Sequence, residues 1–213
     1  MRVAVFGASG PTGREVVKRA VALGHQVTAF VRNPAAMSDL DGAPRIVQGD
    51  ARDPAAVAEA VKSQDAVVCC IGPRNRASRS QPAATTVASE ATRNIVLAMG
   101  ESGVRRLVVQ SSIGVGETRG RSSFLLDRIL IPFFLRKQFA DKELQERIVR
   151  ESDLDWVIVQ PVRLVDRPAR GRCRVFLGDE RAKGTIPRAD VAVFLLQQLS
   201  DRTYLGRAPR IGA

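Results

Sequence analysis

Three glycines, Gly7, Gly10 and Gly13, fall at a spacing of three within the run Gly7-Ala8-Ser9-Gly10-Pro11-Thr12-Gly13. A run of this kind does phosphate chemistry when a strand precedes it and a helix follows. Gly7 permits a tight turn, and Gly10 leaves room for a diphosphate to meet bare backbone. Gly13 lets the helix lie close to the strand. A helix start supplies free N–H groups and a partial positive charge. Pro11 suits the first helical position, and Ser9 and Thr12 add hydroxyls to the same turn.

Further along, Arg32 occupies the position about twenty residues past the turn where an acidic residue would accept from a ribose 2′-hydroxyl. A guanidinium there pairs with a 2′-phosphate instead, which predicts NADP rather than NAD. Asp50 follows the third strand and reads either as an acceptor for the adenine amino group or as a cap for the turn after it. Ile71 and Gly72 end the fourth strand, where a missing side chain at Gly72 allows a ribose to pass. Ser111 and Ser112 follow the fifth strand. Ser112 is the preferred polar contact to substrate or nicotinamide, its alternative being a hydroxyl that satisfies strand-end backbone. Lys142 either reaches that same place as a proton donor or ribose contact, or forms a surface ion pair with Glu146 one helical turn away. The expected catalytic pair is thus Ser112 and Lys142, with no metal site.

The elements that must position these residues alternate. Short β-branched runs at 2–6, 27–31, 45–50, 66–71, 106–110, 155–160 and 173–177 read as strands. Helical stretches are expected at 14–23, at 54–61 behind an Asp53 cap, up to about residue 101, over 139–151, and over 189–199. The polar, Arg-rich stretch 72–81 reads as a loop. This alternation predicts a single α/β domain over 1–213, a Rossmann-like doubly wound parallel sheet with a small C-terminal substrate-side portion.

Composition narrows the function. The net charge is +11, but the basic residues are spread along the chain and aromatics are only 5%, so a basic solvated surface is favoured over nucleic-acid binding. Cys69, Cys70 and Cys173 match no metal spacing and read as core residues in a reducing compartment. With no leader pattern and no apolar run of about eighteen residues, a cytoplasmic protein without an integral membrane segment is expected. The apolar segment 124–135 reads as a lid or wall over a substrate, as an oligomer contact, or as core. A peripheral membrane contact is a lesser reading.

The run 7–13, Val31-Arg32-Asn33, Gly49-Asp50, Ile71-Gly72-Pro73-Arg74-Asn75, the stretch 89–96 and the stretch 154–161 together resemble the atypical short-chain dehydrogenase/reductases with an NmrA-like NAD(P)-binding fold. The resemblance extends over nearly the whole chain and is strongest to the flavin- and biliverdin-reducing branch. It implies an NADPH site with phosphate contacts at Gly10, Thr12 and Gly13, Arg32 at the 2′-phosphate, Asp50 and Ala51 at the adenine, Ile71 and Gly72 along the cofactor, and Ser112 near the nicotinamide. It implies hydride transfer to flavins or other planar acceptors, among which the chain's own residues point to an oxidised flavin, a quinone or a linear tetrapyrrole. The chain departs from that branch in having Ala35-Ala36 where a second basic residue follows, in having His25 as its only histidine, and in a longer stretch at 116–138. It also lacks the Tyr-x-x-x-Lys of conventional dehydrogenases, since the one tyrosine is Tyr204 and Ala208 follows four residues later. That absence favours a conjugated acceptor that needs no positioned tyrosine acid, and disfavours a sugar-nucleotide epimerase. A non-catalytic NADP-binding redox sensor is the second expectation.

Overall fold

A computed structural model of the chain describes residues 1–40, 44–72, 86–116, 136–176, 178 and 180–213. Most of the loop expected at 72–81 and all of the apolar segment 124–135 lie outside these residues.

The strand β1 (Arg2–Phe6) is buried from Val3 onward and runs through the glycine turn into α1 (Pro11–Ala22). After β2 (Gln26–Val31) a single 3₁₀ turn at Pro34–Met37 is closed by Asn33, whose side chain accepts from the Ala35 N–H. There follow β3 (Arg45–Gln48), α2 (Pro54–Val61), β4 (Ala66–Cys69), α3 (Val87–Glu101), β5 (Arg106–Gln110), α4 (Arg136–Arg150) and β6 (Asp155–Pro161). The chain ends its regular structure with β7 (Arg163–Val165), β8 (Arg174–Phe176), β9 (Thr185–Pro187), α5 (Arg188–Gln197) and β10 (Arg210–Gly212). The Asp53 cap is present, its carboxylate accepting from the Ala55 N–H at 3.0 Å.

Among the described residues eight strands form one sheet in the order β3-β2-β1-β4-β5-β6-β10-β8. Pairing is parallel from β3 to β10, and only β8 runs antiparallel, against β10. The chain reverses its direction of travel across the sheet at β1 and β4, which makes the crevice beyond their carboxyl ends the ligand position of such folds. Register lines that edge up: Phe6 stands opposite both Phe30 and Cys69, so Gly7, Val31 and Cys70 leave the sheet side by side.

Alternation along the strands feeds two cores. Val3, Val5, Val108, Val157 and Val159 face α1 and α5, while Ala4, Phe6, Leu107, Val109 and Ile158 face α2, α3 and α4. Each of the valine, leucine, isoleucine and phenylalanine side chains among them, taken wholly out of water, contributes about 1.5–3 kcal/mol before chain entropy is charged against it. Cys69 packs into the second core and Cys70 against the first, as their adjacency on a strand requires. No helix among the described residues is long and apolar enough to cross a membrane.

Several boundaries differ from the sequence expectation. β4 ends at Cys69 rather than Ile71. α4 begins three residues earlier than expected, at Arg136. The three-residue strands β7, β9 and β10 were not anticipated; β7 and β9 form a separate parallel pair beyond β6. Asp190, on the first turn of α5 and 3% exposed, accepts from the N–H groups of Arg170 and Gly171, which pins the loop between β7 and β8 to that helix.

Candidate functional site

The glycine turn has the geometry its sequence implies. Gly7 adopts φ +74°, and a Cβ there would stand 2.8 Å from the Cys70 carbonyl carbon. At Gly13 a Cβ would stand 2.1 Å from the Gly7 carbonyl oxygen, so helix and strand touch through bare backbone. Gly10 is the N-cap of α1 and donates its own N–H to the Gly7 carbonyl at 2.9 Å. Pro11 takes the first helical position and no side chain caps the helix. The N–H groups of Thr12 and Gly13 therefore have no intrahelical acceptor and remain available to an anion. Ser9 is exposed on the turn, and Thr12 is buried at 6% exposure. The donor set suits a diphosphate, with free N–H groups at a helix start, and the turn that presents them needs glycine where a Cβ would strike the Cys70 or Gly7 carbonyl.

Arg32 lies just past β2 at this same edge. Its side chain is exposed, and its guanidinium makes no hydrogen bond or ion pair among the described residues. Arg14, by contrast, is spent on the Asp39 carboxylate at 2.5 Å and on the Ala36 carbonyl. Asp50 is held by Arg52, which donates to its two carboxylate oxygens at 3.1 and 2.6 Å from the side chain and at 3.0 Å from the backbone N–H. Those bonds draw the Asp50 carboxyl down to about 2, with the charges of Arg52 and Arg32 adding to the effect. The Asp50 carboxylate caps the turn that follows it through the Arg52 N–H. Ala51 is buried beside it, and its carbonyl accepts from the Asn94 side chain at 3.0 Å.

At the ends of β4 and β5 the polar residues come from α4. The Lys142 ammonium is buried at 8% exposure and donates to the carbonyls of Ile71 at 2.7 Å and Gln110 at 2.9 Å, and to Gln145 Oε1 at 2.7 Å. Three acceptors that carry no hydrogen require three N–H groups, so the geometry is that of the charged form. Burial acts the other way and pulls its affinity for the proton below that of an ordinary lysine. Gln145 passes the chain of bonds on to Thr92 of α3 at 2.7 Å. The surface pair between Lys142 and Glu146 is not formed: Glu146 is itself buried, accepts from the Gln160 side chain at 2.8 Å, and has Arg150 at 3.6 Å. Gly72 lies against Lys142, and a Cβ there would meet its Cε at 3.7 Å.

The two serines divide. Ser112 is partly buried and its hydroxyl donates to the Ile113 carbonyl at 3.2 Å. Ser111 is 4% exposed, donates its N–H to the Val159 carbonyl, and has a hydroxyl with no partner among the described residues. Ile71, Gly72, Ser112 and Lys142 are thus brought to one edge, the edge of the glycine turn. Gln145, Glu146, Gln160 and Ser111 are polar residues of this edge that the sequence reading did not single out as candidates. On α4 the positions 142, 145, 146 and 149 repeat at the spacing of one helix face, which was the available signal.

A cavity of about 450 Å³ opens at the opposite, amino edge of the sheet, lined by Asp65, Arg105, Arg106, Asp155 and Arg202 among others. Its charges are satisfied internally. Arg106 bonds the Gln198 and Asp201 carbonyls behind α5, and Arg105 and Arg202 both face Asp155 at 3.9 Å. It lies away from the glycine turn and shares none of its groups.

The family model described as NAD(P)H-binding matches residues 7–202. Among curated relatives, the chain is 28% identical to the uncharacterized protein YwnB of Bacillus subtilis over 211 residues, 93% of this chain and 92% of YwnB. It is 29% identical to the chloroplastic protein At2g34460 of Arabidopsis thaliana, over 92% of this chain and 72% of that one. Among solved structures, ChuY, an anaerobillin reductase from Escherichia coli O157:H7, matches with a TM-score of 0.83 at 23% identity, covering 99% of this chain and 96% of ChuY. A wide-type short-chain dehydrogenase/reductase from Veillonella parvula, solved in complex with NADP, matches with a TM-score of 0.78 at 16% identity, covering 100% and 94%. At these identities the structural matches establish the fold.

Proposed function

The chain belongs to the NAD(P)H-binding family, and from that premise we propose that it is an NADPH-dependent reductase of a flavin, quinone or similar conjugated small molecule. The observation that carries this reading is the state of its proton-donor candidates. All three hydrogens of Lys142 are committed to Ile71, Gln110 and Gln145, and the one tyrosine, Tyr204, packs its ring 5.9 Å from that of Phe194 on α5. A carbonyl substrate needs an acid aimed at its oxygen. A conjugated acceptor spreads the incoming charge and takes its proton from water, so it needs only orientation.

Bound NADPH supplies the hydride. The chain's own residues do the holding. Thr12 and Gly13 offer backbone N–H groups to the diphosphate at the start of α1, and Gly7 and Gly10 leave that approach open. Arg32 offers its uncommitted guanidinium to the 2′-phosphate. Ala51 borders the adenine, and Asp50 keeps the turn around it in place through Arg52. Lys142 fixes the Ile71 and Gln110 carbonyls against α4, which sets the spacing of the two strand ends on which Gly72 and Ser112 stand. Ser112 is the hydroxyl offered to the nicotinamide side.

The test is NADPH oxidation followed at 340 nm with FMN, a soluble quinone and biliverdin as separate acceptors, beside a titration of NADPH binding. Saturable turnover with any of them supports the reductase reading and ranks the acceptors. Tight NADPH binding with no turnover removes it and favours a sensor of the NADP pool.

A further inference from the structure

On the α4 side of the sheet, at the carboxyl ends of β5 and β6, three buried side chains each keep one oxygen without a hydrogen-bond partner among the described residues: Ser111 Oγ, Glu146 Oε2 and Gln160 Oε1. The residues are 4%, 2% and 1% exposed. They are neighbours. Gln160 Nε2 donates to Glu146 Oε1 at 2.8 Å, which leaves the second oxygen of each for something else. Gln110 stands opposite Val159 in the parallel register, so Ser111 stands beside Gln160 on the next strand. Glu146 Oε2 faces the chain just past the serines, 3.3 Å from where a Cβ on Gly116 would be. Arg150 forms an ion pair with that oxygen across 3.6 Å, too long for a hydrogen bond.

A buried oxygen without a hydrogen-bond donor is destabilising until something supplies one. Three of them gathered at the edge where this fold binds ligands describe a complement to something that brings donors. The two side-chain oxygens of Glu146 and Gln160 only accept, and the Ser111 hydroxyl serves either way. A ligand edge made only of carbonyl oxygens would face two acceptors with its own acceptors.

We infer that Ser111, Glu146 and Gln160 form a niche that recognises a planar amide N–H, and that Glu146 and Gln160 set the specificity of the site. The inference rests on the reductase reading for its location. Two molecules at that site carry such a group: the carboxamide of the nicotinamide itself, and the imide or lactam N–H of an acceptor such as a flavin or a linear tetrapyrrole.

The experiment is direct binding by the whole chain, followed by calorimetry for cofactors and by fluorescence quenching for flavins. One arm compares NADPH with its 3-acetylpyridine analogue, in which a methyl group replaces the amide nitrogen. The other compares lumiflavin with N3-methyl-lumiflavin in the presence of NADP. Loss of about tenfold or more in affinity in the first arm places the cofactor amide in the niche, and the same loss in the second places the acceptor there. In Ser111→Ala and in Glu146→Gln, each checked for an unchanged circular dichroism spectrum and melting temperature, the discrimination shrinks several-fold. If all ligands bind and neither arm discriminates, the niche holds water alone and the inference falls while the reductase reading stands. If neither NADPH nor flavin binds, both fall together.

Discussion

The Gly7 carbonyl oxygen occupies the space that a side chain on Gly13 would need, with 2.1 Å between that oxygen and the Cβ position. The first turn of α1 therefore rests directly on the backbone that leaves β1. A Gly13→Ala variant must push the helix off the strand. The expected cost is about 2–3 kcal/mol in urea unfolding, the scale of overpacking at a site that cannot yield. NADPH affinity falls with it, because the N–H groups of Thr12 and Gly13 move as a unit. A variant with wild-type stability would show that the turn relaxes easily.

Arg32 is expected to separate the two nicotinamide cofactors. A charge-assisted contact to phosphate contributes about 1.5–3 kcal/mol, so Arg32→Ala loses roughly ten- to a hundredfold in NADPH affinity and little in NADH affinity. Isothermal titration with both cofactors reads this directly. Equal losses for the two would take Arg32 away from the 2′-phosphate.

Lys142 ties α4 to two strands at once, and Lys142→Met leaves the Ile71 and Gln110 carbonyls and Gln145 Oε1 without their shared donor. The expected loss is about 2–4 kcal/mol, read from the midpoint of chemical denaturation. A lysine in a surface ion pair would cost less than about 1 kcal/mol, so the size of the effect decides between the two roles.

Acid weakens the fold through its paired carboxylates. Asp39, Asp50 and Asp65 are drawn below their ordinary range chiefly by side-chain bonds from Arg14, Arg52 and Arg2, and Asp201 chiefly by that from Thr203. The unfolded chain then takes up protons before the folded chain does. The stability these groups add is complete above the usual carboxylate range and drains away as the pH falls from about 4 toward 2. Melting temperatures across that window fall, and Asp65→Asn flattens part of the fall. An identical slope in the variant would remove Asp65 from the account.

Much of this arrangement was legible beforehand. β1 and β5 fall at the residues expected, because their apolar runs end sharply in turn residues, and the Asp53-Pro54 start of α2 is set by local hydrogen bonding alone. β7, β9 and β10 carry no such signal: three residues are too few to show a period, and their pairing comes from distant partners. The burial of Lys142 was hidden for a different reason. Its neighbours Asp141, Glu143 and Glu146 make α4 look like a solvated helix, yet the face it turns to the sheet buries Lys142, Gln145 and Glu146 beside Val149. Asp141 meanwhile caps α3 from outside, accepting from the Ala88 and Ser89 N–H groups at 2.9 Å, a contact between segments that no local pattern encodes.

The place of β10 between β6 and β8 bears on the order in which the molecule is assembled. β8 has no edge to join until β10 has docked on β6, and β10 is made after β9 and α5. During synthesis the β6 margin and the β8 strand both wait with unpaired backbone, and contacts this distant along the chain are slow to close. That interval is when a second nascent copy could pair with the open β6 edge, so a shortage of residues 210–212 would be felt first as aggregation rather than as lost chemistry.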